Sequence, residues 1–414
     1  MIKINKKVEE LSKQAEIDLK SVYEKVDEIC LFNSQKVLNA FISNGVSYSD
    51  FQEINGYAYY DGGRNKLEKV FADVLGAEDA LVRPQMMSGT NAIALTLSGL
   101  LHHGDTMLSI SGLPYDSLRG IIGITGESKH SLMYNGVKYE QIDIVNDDFD
   151  YDKIAERIKK GGVTLAAIQR STGYSARKSL TIDQIEKVCK LIKSIDKNVI
   201  IMVDNCYGEL VETKEPNDVG ADIVVGSLMK NLGGGIASSG GYIAGRKDLI
   251  ADISDRLTAP CHGKSLGANY NQNILFFKGL FFAPNVVKSA LKTAIFASYM
   301  LERLNFKGIS PTWNEKRTDI IQKFDLFNEQ NLVKFCQGLQ SGSPIDSFVT
   351  VLPGPMPGYP CEEVMACGTF TQGSTIELSA DAPVTEPYTL YMQGGLSYEY
   401  GKLGVMQAIS KMME

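Results

Sequence analysis

Apolar residues recur at Ile4, Val8, Leu11, Ala15, Leu19, Val22, Val26 and Ile29, in steps of three and four. That spacing places them on one stripe of a helix, with Lys and Glu on the other face. Such a helix must bury its stripe, either on its own domain or on a partner chain. From about residue 65 the pattern changes, and helical stretches alternate with short β-rich runs. Helices are predicted over 65–75 (stopping at Gly76), 91–101, 151–159 and 182–195. Strands are predicted over 80–82, 106–110, 139–145, 163–169, 199–203, 223–225 and 242–244. Repeated β-α units imply a mostly parallel sheet covered on both faces. Only 242–244, reached by a short Gly-rich link, is expected to return antiparallel. Beyond about residue 285 the alternation stops. A long helix is predicted over 286–304, and strands over 348–352 and 375–378, within a stretch rich in Gly, Pro, Thr and Tyr. The expected organisation is an N-terminal helical arm (1–60), a large α/β domain (61–285) and a smaller α+β C-terminal domain (286–414).

Composition narrows the class. The 414 residues are 44% hydrophobic and 22% charged, ordinary values for a folded, soluble protein of more than one domain. A net charge of −7 leaves no broad basic footprint for nucleic acid or an anionic membrane. The first 20 residues carry charges throughout and lack the apolar core of a secretory signal. No stretch reads as long and apolar enough to span a bilayer, so a cytoplasmic protein is expected. The seven cysteines are odd in number and form no C-x-x-C pair, which predicts reduced thiols. His102 and His103 are adjacent and no ligand spacing accompanies them, so no metal site is expected.

Four elements carry candidate chemistry. Strand 199–203 ends on Asp204. Open α/β sheets place ligands at the carboxyl ends of their strands, although Asp204 there is equally a cap for the next segment. Strand 223–225 leads into Gly226-Ser227-Leu228-Met229-Lys230-Asn231, followed by three glycines. Those glycines allow a backbone to approach a ligand, which makes Lys230 either a functional amine or an exposed hairpin lysine. Ser88-Gly89-Thr90-Asn91 opens a helix, where free N–H groups and the helix dipole attract an anion. Plain N-capping by Ser88 or Thr90 explains the same residues. Tyr115 follows strand 106–110 and is either a plate for a planar ring or a half-buried loop tyrosine. The glycine run 233–235 lacks the spacing of a dinucleotide fingerprint.

Taken together the four change the odds. An anion cradle, an aromatic plate, an Asp and then a Lys 26 positions later fall at the ends of successive strands. Pyridoxal 5′-phosphate (PLP) needs that set. Its phosphate suits a helix N-terminus, its ring nitrogen a carboxylate, and its aldehyde a lysine amine.

The order Ser-Gly-Thr, Tyr, Asp, Ser-x-x-Lys resembles the fold-type I PLP enzymes, whose aspartate-aminotransferase-like fold has a seven-stranded-type large sheet. GYAYYDGGRNKLE, VRPQMMSGTNAIAL, VDNCYGELVE, GSLMKNLGGGIA, QGSTIELSADAP and YMQGGLSYEYGKLG resemble the bacterial methionine gamma-lyase family, also called the aluminium-resistance family. That family is related to the cystathionine lyases. The resemblance covers most of the chain. It implies that Lys230 is the Schiff-base lysine and Asp204 the partner of the ring nitrogen. Ser88, Gly89, Thr90 and Ser227 are implied to hold the phosphate, and Tyr115 to stack on the ring. Tyr59 and Arg64 are implied to reach the phosphate of a neighbouring subunit, in a homodimer or homotetramer.

Two departures stand out. Met229 occupies a place where the cystathionine lyases usually have Thr. After Arg317 the chain has no arginine for a substrate carboxylate. Arg170 is the substitute candidate, with Arg177 second. The activity implied is a carbon–sulfur lyase acting on methionine, cystathionine or cysteine. An aminotransferase or a transsulfuration synthase would use the same constellation. A catalytically weak regulatory or stress-resistance protein on this fold is the reading of another class.

Overall fold

The structure is a computed structural model that describes residues 3–57, 61–356 and 361–414. The chain divides into two compact units, Ser34–Phe281 and Met1–Asn33 with Phe282–Glu414. The sequence reading had placed its boundaries at 60/61 and 285/286. Residues up to 33 instead group with the C-terminal unit, and residues 34–57 with the large one.

The chain opens with helices α1 (Lys6–Asp18) and α2 (Lys20–Ser43). The large unit continues with α3 (Gly62–Leu75), β1 (Asp79–Arg83), α4 (Gly89–Leu100), β2 (Thr106–Ser109), α5 (Asp116–Ile122) and β3 (Lys138–Gln141). Next come α6 (Tyr151–Lys159), β4 (Leu165–Gln169), α7 (Ile182–Ile195), β5 (Ile200–Asp204), β6 (Ile223–Ser227), β7 (Gly241–Gly245) and α8 (Lys247–Leu257). The seven strands form one sheet in the order β1-β7-β6-β5-β4-β2-β3. β7 runs antiparallel to both neighbours, while β6, β5, β4, β2 and β3 pair in parallel. This is the α/β architecture and the single antiparallel return read from the sequence. Between strands and helices lies a core that includes Leu81, Ile93, Leu97, Met107, Leu165 and Met202.

Local chemistry explains the helix limits. Gly76 ends α3 with φ +66, a left-handed conformation that suits glycine. Asp150 caps α6, and a Thr181–Gln184 capping box starts α7. β3 is shorter than the predicted 139–145, because its partner β2 ends at Ser109, opposite Gln141; Asn146 and Asp147 then turn the chain with φ +52 and +60.

Helix α9 (Asn273–Arg303) leads on from the large unit. It starts 13 residues before the predicted 286, with Pro284 inside it. Buried Phe276, Phe277, Leu280 and Ala283 hold the added turns despite the backbone bond that Pro284 removes. At 31 residues it is also long and apolar enough, by composition, to cross a membrane. It therefore corrects the sequence reading that no stretch is. In this fold 61% of its most apolar window is buried in the protein interior, as for a core helix.

The second unit adds β8 (Lys307–Ser310), β9 (Gln322–Asp325), α10 (Glu329–Ser341), β10 (Gly354–Pro355), β11 (Glu362–Ala366), β12 (Ser379–Pro383), β13 (Thr389–Gln393) and α11 (Tyr398–Met412). Its six strands form an antiparallel sheet in the order β10-β11-β12-β13-β9-β8. Two predicted strands are absent. Residues 348–352 are irregular, with Phe348 and Leu352 largely exposed. Residues 375–378 form a loop in which Glu377 accepts the N–H groups of Phe370 and Thr371 at 2.8 and 3.0 Å. The N-terminal stripe is buried on its own chain: Val8, Ala15 and Leu19 are fully buried, and the Tyr23 and Tyr398 hydroxyls share a 2.8 Å hydrogen bond.

Candidate functional site

The carboxyl ends of β4, β5 and β6 bring the chemistry together. Asp204 is the last residue of β5, nearly buried, and aligned with Gln169 at the end of β4. Its Oδ1 accepts the Cys206 backbone N–H at 3.1 Å. Burial raises the Asp204 carboxyl above the usual range, while Lys230 and the Cys206 bonds oppose the rise. Lys230 follows β6 and is half-buried. Its Nζ sits 3.8 Å from the centre of the Tyr207 ring. Burial works against its charge, but acidic neighbours, Asp204 among them, oppose it and hold the ammonium above its ordinary range.

The start of α4 approaches the same place. Ser88 caps the helix, accepting the Asn91 N–H at 3.2 Å. The capping reading of Ser88 is therefore correct, and it leaves the first-turn N–H groups of Gly89 and Thr90 to face outward. A Cβ on Gly89 would lie 2.9 Å from the Ser227 Cβ and 3.4 Å from Cys206 Sγ. Gly89 thus lets the helix N-terminus close on the end of β6, with Ser227 buried between. Ser227 Oγ accepts the Met229 N–H at 3.1 Å, so Met229 enters the turn through its backbone. Tyr115 donates its hydroxyl to Thr90 Oγ1 at 3.1 Å, and its N–H to Gln169 Oε1 at 3.0 Å. Burial lifts its phenol above the ordinary value.

A cavity of about 400 Å³ takes in Tyr115 and Gln169, but neither Lys230 nor Asp204, and is lined further by Arg119, Thr172, Tyr174 and Arg177 among others. Arg119 stands one helical turn after Tyr115, donating Nε to Pro114 O at 2.7 Å and pairing with Asp116.

The sequence profile of the methionine gamma-lyase family matches residues 8–413. The chain belongs to the methionine gamma-lyase family. Uncharacterized protein YnbB of Bacillus subtilis is 42% identical over 403 residues, covering 97% of this chain and 95% of that protein. A carbon-sulfur lyase involved in aluminum resistance from Clostridium novyi has a solved structure with TM-score 0.94 and 44% identity. The match covers 98% of this chain and 96% of that one. Yeast cystathionine gamma-lyase, 18% identical with TM-score 0.56 over 88% of each chain, shares the fold. The fold is fold-type I.

In this family member the predicted arginines fall in different places. Arg170 is fully buried at the end of β4. It donates to Asn205 Oδ1 (2.8 Å), Gly208 O (2.9 Å), Glu212 Oε1 (3.0 Å) and Leu180 O (3.4 Å). Those bonds occupy the guanidinium, which corrects its reading as the substrate-carboxylate residue. Arg177 does line the cavity, with its Nη atoms donating to the backbone of Gln169, Ser171 and Lys178 at 2.7–2.8 Å. Arg64 is buried within its own chain, donating to Gly267 O (3.0 Å) and Gly56 O (3.3 Å). Tyr59 lies outside the described residues. Sequence reasoning missed Tyr207 and Arg119. Tyr207 has φ +71, uncommon for a bulky residue, and such backbone strain clusters at functional sites. Only its place in VDNCYGELVE could have flagged it.

Proposed function

We propose that this protein is a PLP-dependent carbon–sulfur lyase that acts on a sulfur amino acid and yields a 2-oxo acid, ammonia and a thiol. The observation that carries the reading is the convergence of Lys230, Asp204, Tyr115 and the α4 N-terminus at one sheet edge. The residues fit PLP. Gly89, Thr90 and Ser227 would hold its phosphate, Asp204 its ring nitrogen, Tyr115 its ring face and Lys230 its aldehyde carbon. When bound, PLP supplies an electron-accepting ring for charge left on a substrate Cα.

The protein's own residues do the rest. Burial alone lowers a lysine pKa, and here Asp204 helps to oppose that effect. With Asp204 engaged by the ring nitrogen of a bound cofactor, burial would act on the Lys230 amine less opposed. Its Nζ then suits the role of base at the substrate α-proton. Arg119, which lines the cavity with Tyr115, is placed to draw a substrate carboxylate; Arg177 adds positive charge there while its Nη atoms stay on backbone carbonyls. Tyr115, fixed at Thr90 and Gln169, shields the reacting carbon from water on one side.

The reading extends to a homodimer or homotetramer. Tyr57, Met87 and Tyr270 are 65%, 69% and 61% exposed, and Met87 directly precedes Ser88, which supports cover by a second copy. Light scattering of the purified protein should give at least twice the chain mass.

The absorption spectrum tests the central claim. A visible band that disappears on borohydride reduction is expected. Methionine, cystathionine or cysteine, with no added 2-oxo acid, should then release thiol and 2-oxo acid. A colourless protein that takes up no PLP would end the proposal. Turnover only with a 2-oxo acid present would make it an aminotransferase.

A further inference from the structure

Three glutamates follow Asp204 at spacings of three: Glu209, Glu212 and Glu215. Two of them have cations. Glu212 accepts from Arg170 at 3.0 Å. Glu215 accepts from Asn205 Nδ2 and Leu210 N, both at 2.9 Å, with Lys36 Nζ 3.8 Å away. Glu209 differs. It is fully buried, its Oε1 accepts from the Tyr242 hydroxyl at 2.8 Å, and its Oε2 has no partner among the described residues. Tyr242 is buried on β7, and burial raises its phenol well above the usual value, so it is a neutral donor. An ionised carboxylate held in a dry interior by one neutral donor is costly. Burial pushes the Glu209 carboxyl up to about 8; Glu215 adds to the rise, while its own backbone, Tyr242 and Lys230 oppose it. Cys206 also faces this group, and burial keeps its thiol protonated.

A second buried acceptor stands close in the chain of contacts. Asn231 follows Lys230 directly and is fully buried. Its Nδ2 donates to Glu209 O at 2.9 Å, while its Oδ1 has no partner among the described residues. Two acceptors cannot satisfy each other, but one added proton turns a carboxyl oxygen into a donor.

We propose that Glu209 is an uncharged acid whose Oε2 proton is donated to Asn231 Oδ1, and that this bond positions Lys230. Asn231 is then clamped through both atoms of its amide. It opens the short turn Asn231–Gly233, so the clamp sets where the Lys230 backbone stands. A neutral Glu209 also leaves Asp204 as the nearby carboxylate charge that acts on the amine. Glu209 is a positioning residue that touches neither substrate nor cofactor.

Infrared difference spectra at pH 7, wild type minus Glu209→Gln, should show a protonated-carboxyl stretch that the variant lacks. Asn231→Ala should keep that stretch at higher frequency, because its acceptor is gone. Glutamine keeps a donor and an acceptor at position 209. The visible band of the PLP-loaded protein should therefore keep its pH midpoint in Glu209→Gln and shift it in Asn231→Ala. Two results would overturn the proposal: no carboxyl stretch at pH 7, or a midpoint in Glu209→Gln that moves as far as in Asn231→Ala. Only the visible-band measurement rests on the proposed function. A protein with the carboxyl stretch but no PLP uptake would keep the Glu209 bond and lose that function.

Discussion

Two parallel strands of the large sheet, β4 and β6, flank β5 and each lead into a basic residue, and the two cations have opposite fates. Arg170 passes directly from β4 into protein, with Asn205, Gly208, Glu212 and Leu180 taking its donors. Lys230, just past β6, lies over an aromatic ring and makes no hydrogen bond or ion pair through Nζ among the described residues. A guanidinium presents five donors in a rigid fork, which its surroundings can use up completely. An ammonium on a flexible stem is held here by field and by a π face instead. The first arrangement makes scaffold, and the second leaves an amine able to react.

Mutation should separate the two cations. Lys230→Ala is expected to abolish turnover and the visible band while the unfolding midpoint stays near wild type. Multiple turnovers in that variant would erase the contrast. Arg170→Ala should do the reverse, lowering stability by about 3–5 kcal/mol in urea unfolding, because it strands a buried carboxylate. An Arg170→Ala protein that unfolds normally but no longer cleaves substrate would return Arg170 to the site. Asp204→Asn sharpens the Lys230 side. It should still colour with PLP but turn over about a hundredfold more slowly, the scale of losing one preorganised electrostatic contact. Tyr115→Phe removes the bond to Thr90, worth about 1 kcal/mol. PLP titration should show affinity weaker by about fivefold.

The smallest expected effect concerns pH. The folded Glu209 carboxyl is raised from its ordinary 4.5 to about 8. The folded state therefore holds this proton more tightly than the unfolded chain does. The resulting stability is fully present below 4.5 and is lost as pH rises through 8. Melting temperatures of wild type and Glu209→Gln should diverge across that window, with the variant declining less. Parallel curves would show that Glu209 is ionised throughout.

The sequence made this contrast only half visible. The strand-helix alternation was legible because α6 and α7 are amphipathic and carry side-chain caps at Asp150 and Thr181. Lys230, Asp204, Ser88 and Tyr115 were legible because chemistry at strand ends has a recognisable order. Burial was not. Arg170 reads in sequence like any arginine after a strand, and only the fold, which brings Leu180, Asn205, Gly208 and Glu212 to it, shows where its donors go. β12, with sequence SADAP, has little β propensity and exists through pairing with β11 and β13. α9 was cut short in the reading because Pro284 signals a boundary that packing overrides.

The one-sidedness of the large sheet has a practical use. Asp204, Lys230, Tyr115 and the Ser88–Thr90 turn all sit at the carboxyl ends of strands, away from the amino-terminal ends. Gly161 and Gly162 lie in the exposed turn before β4, with open space around both positions. A five-residue strand separates that turn from the reactive edge by about 16 Å. A short tag inserted there would let the protein be tethered to a surface or carry a fluorophore. The immobilised protein would keep its working face turned toward solution.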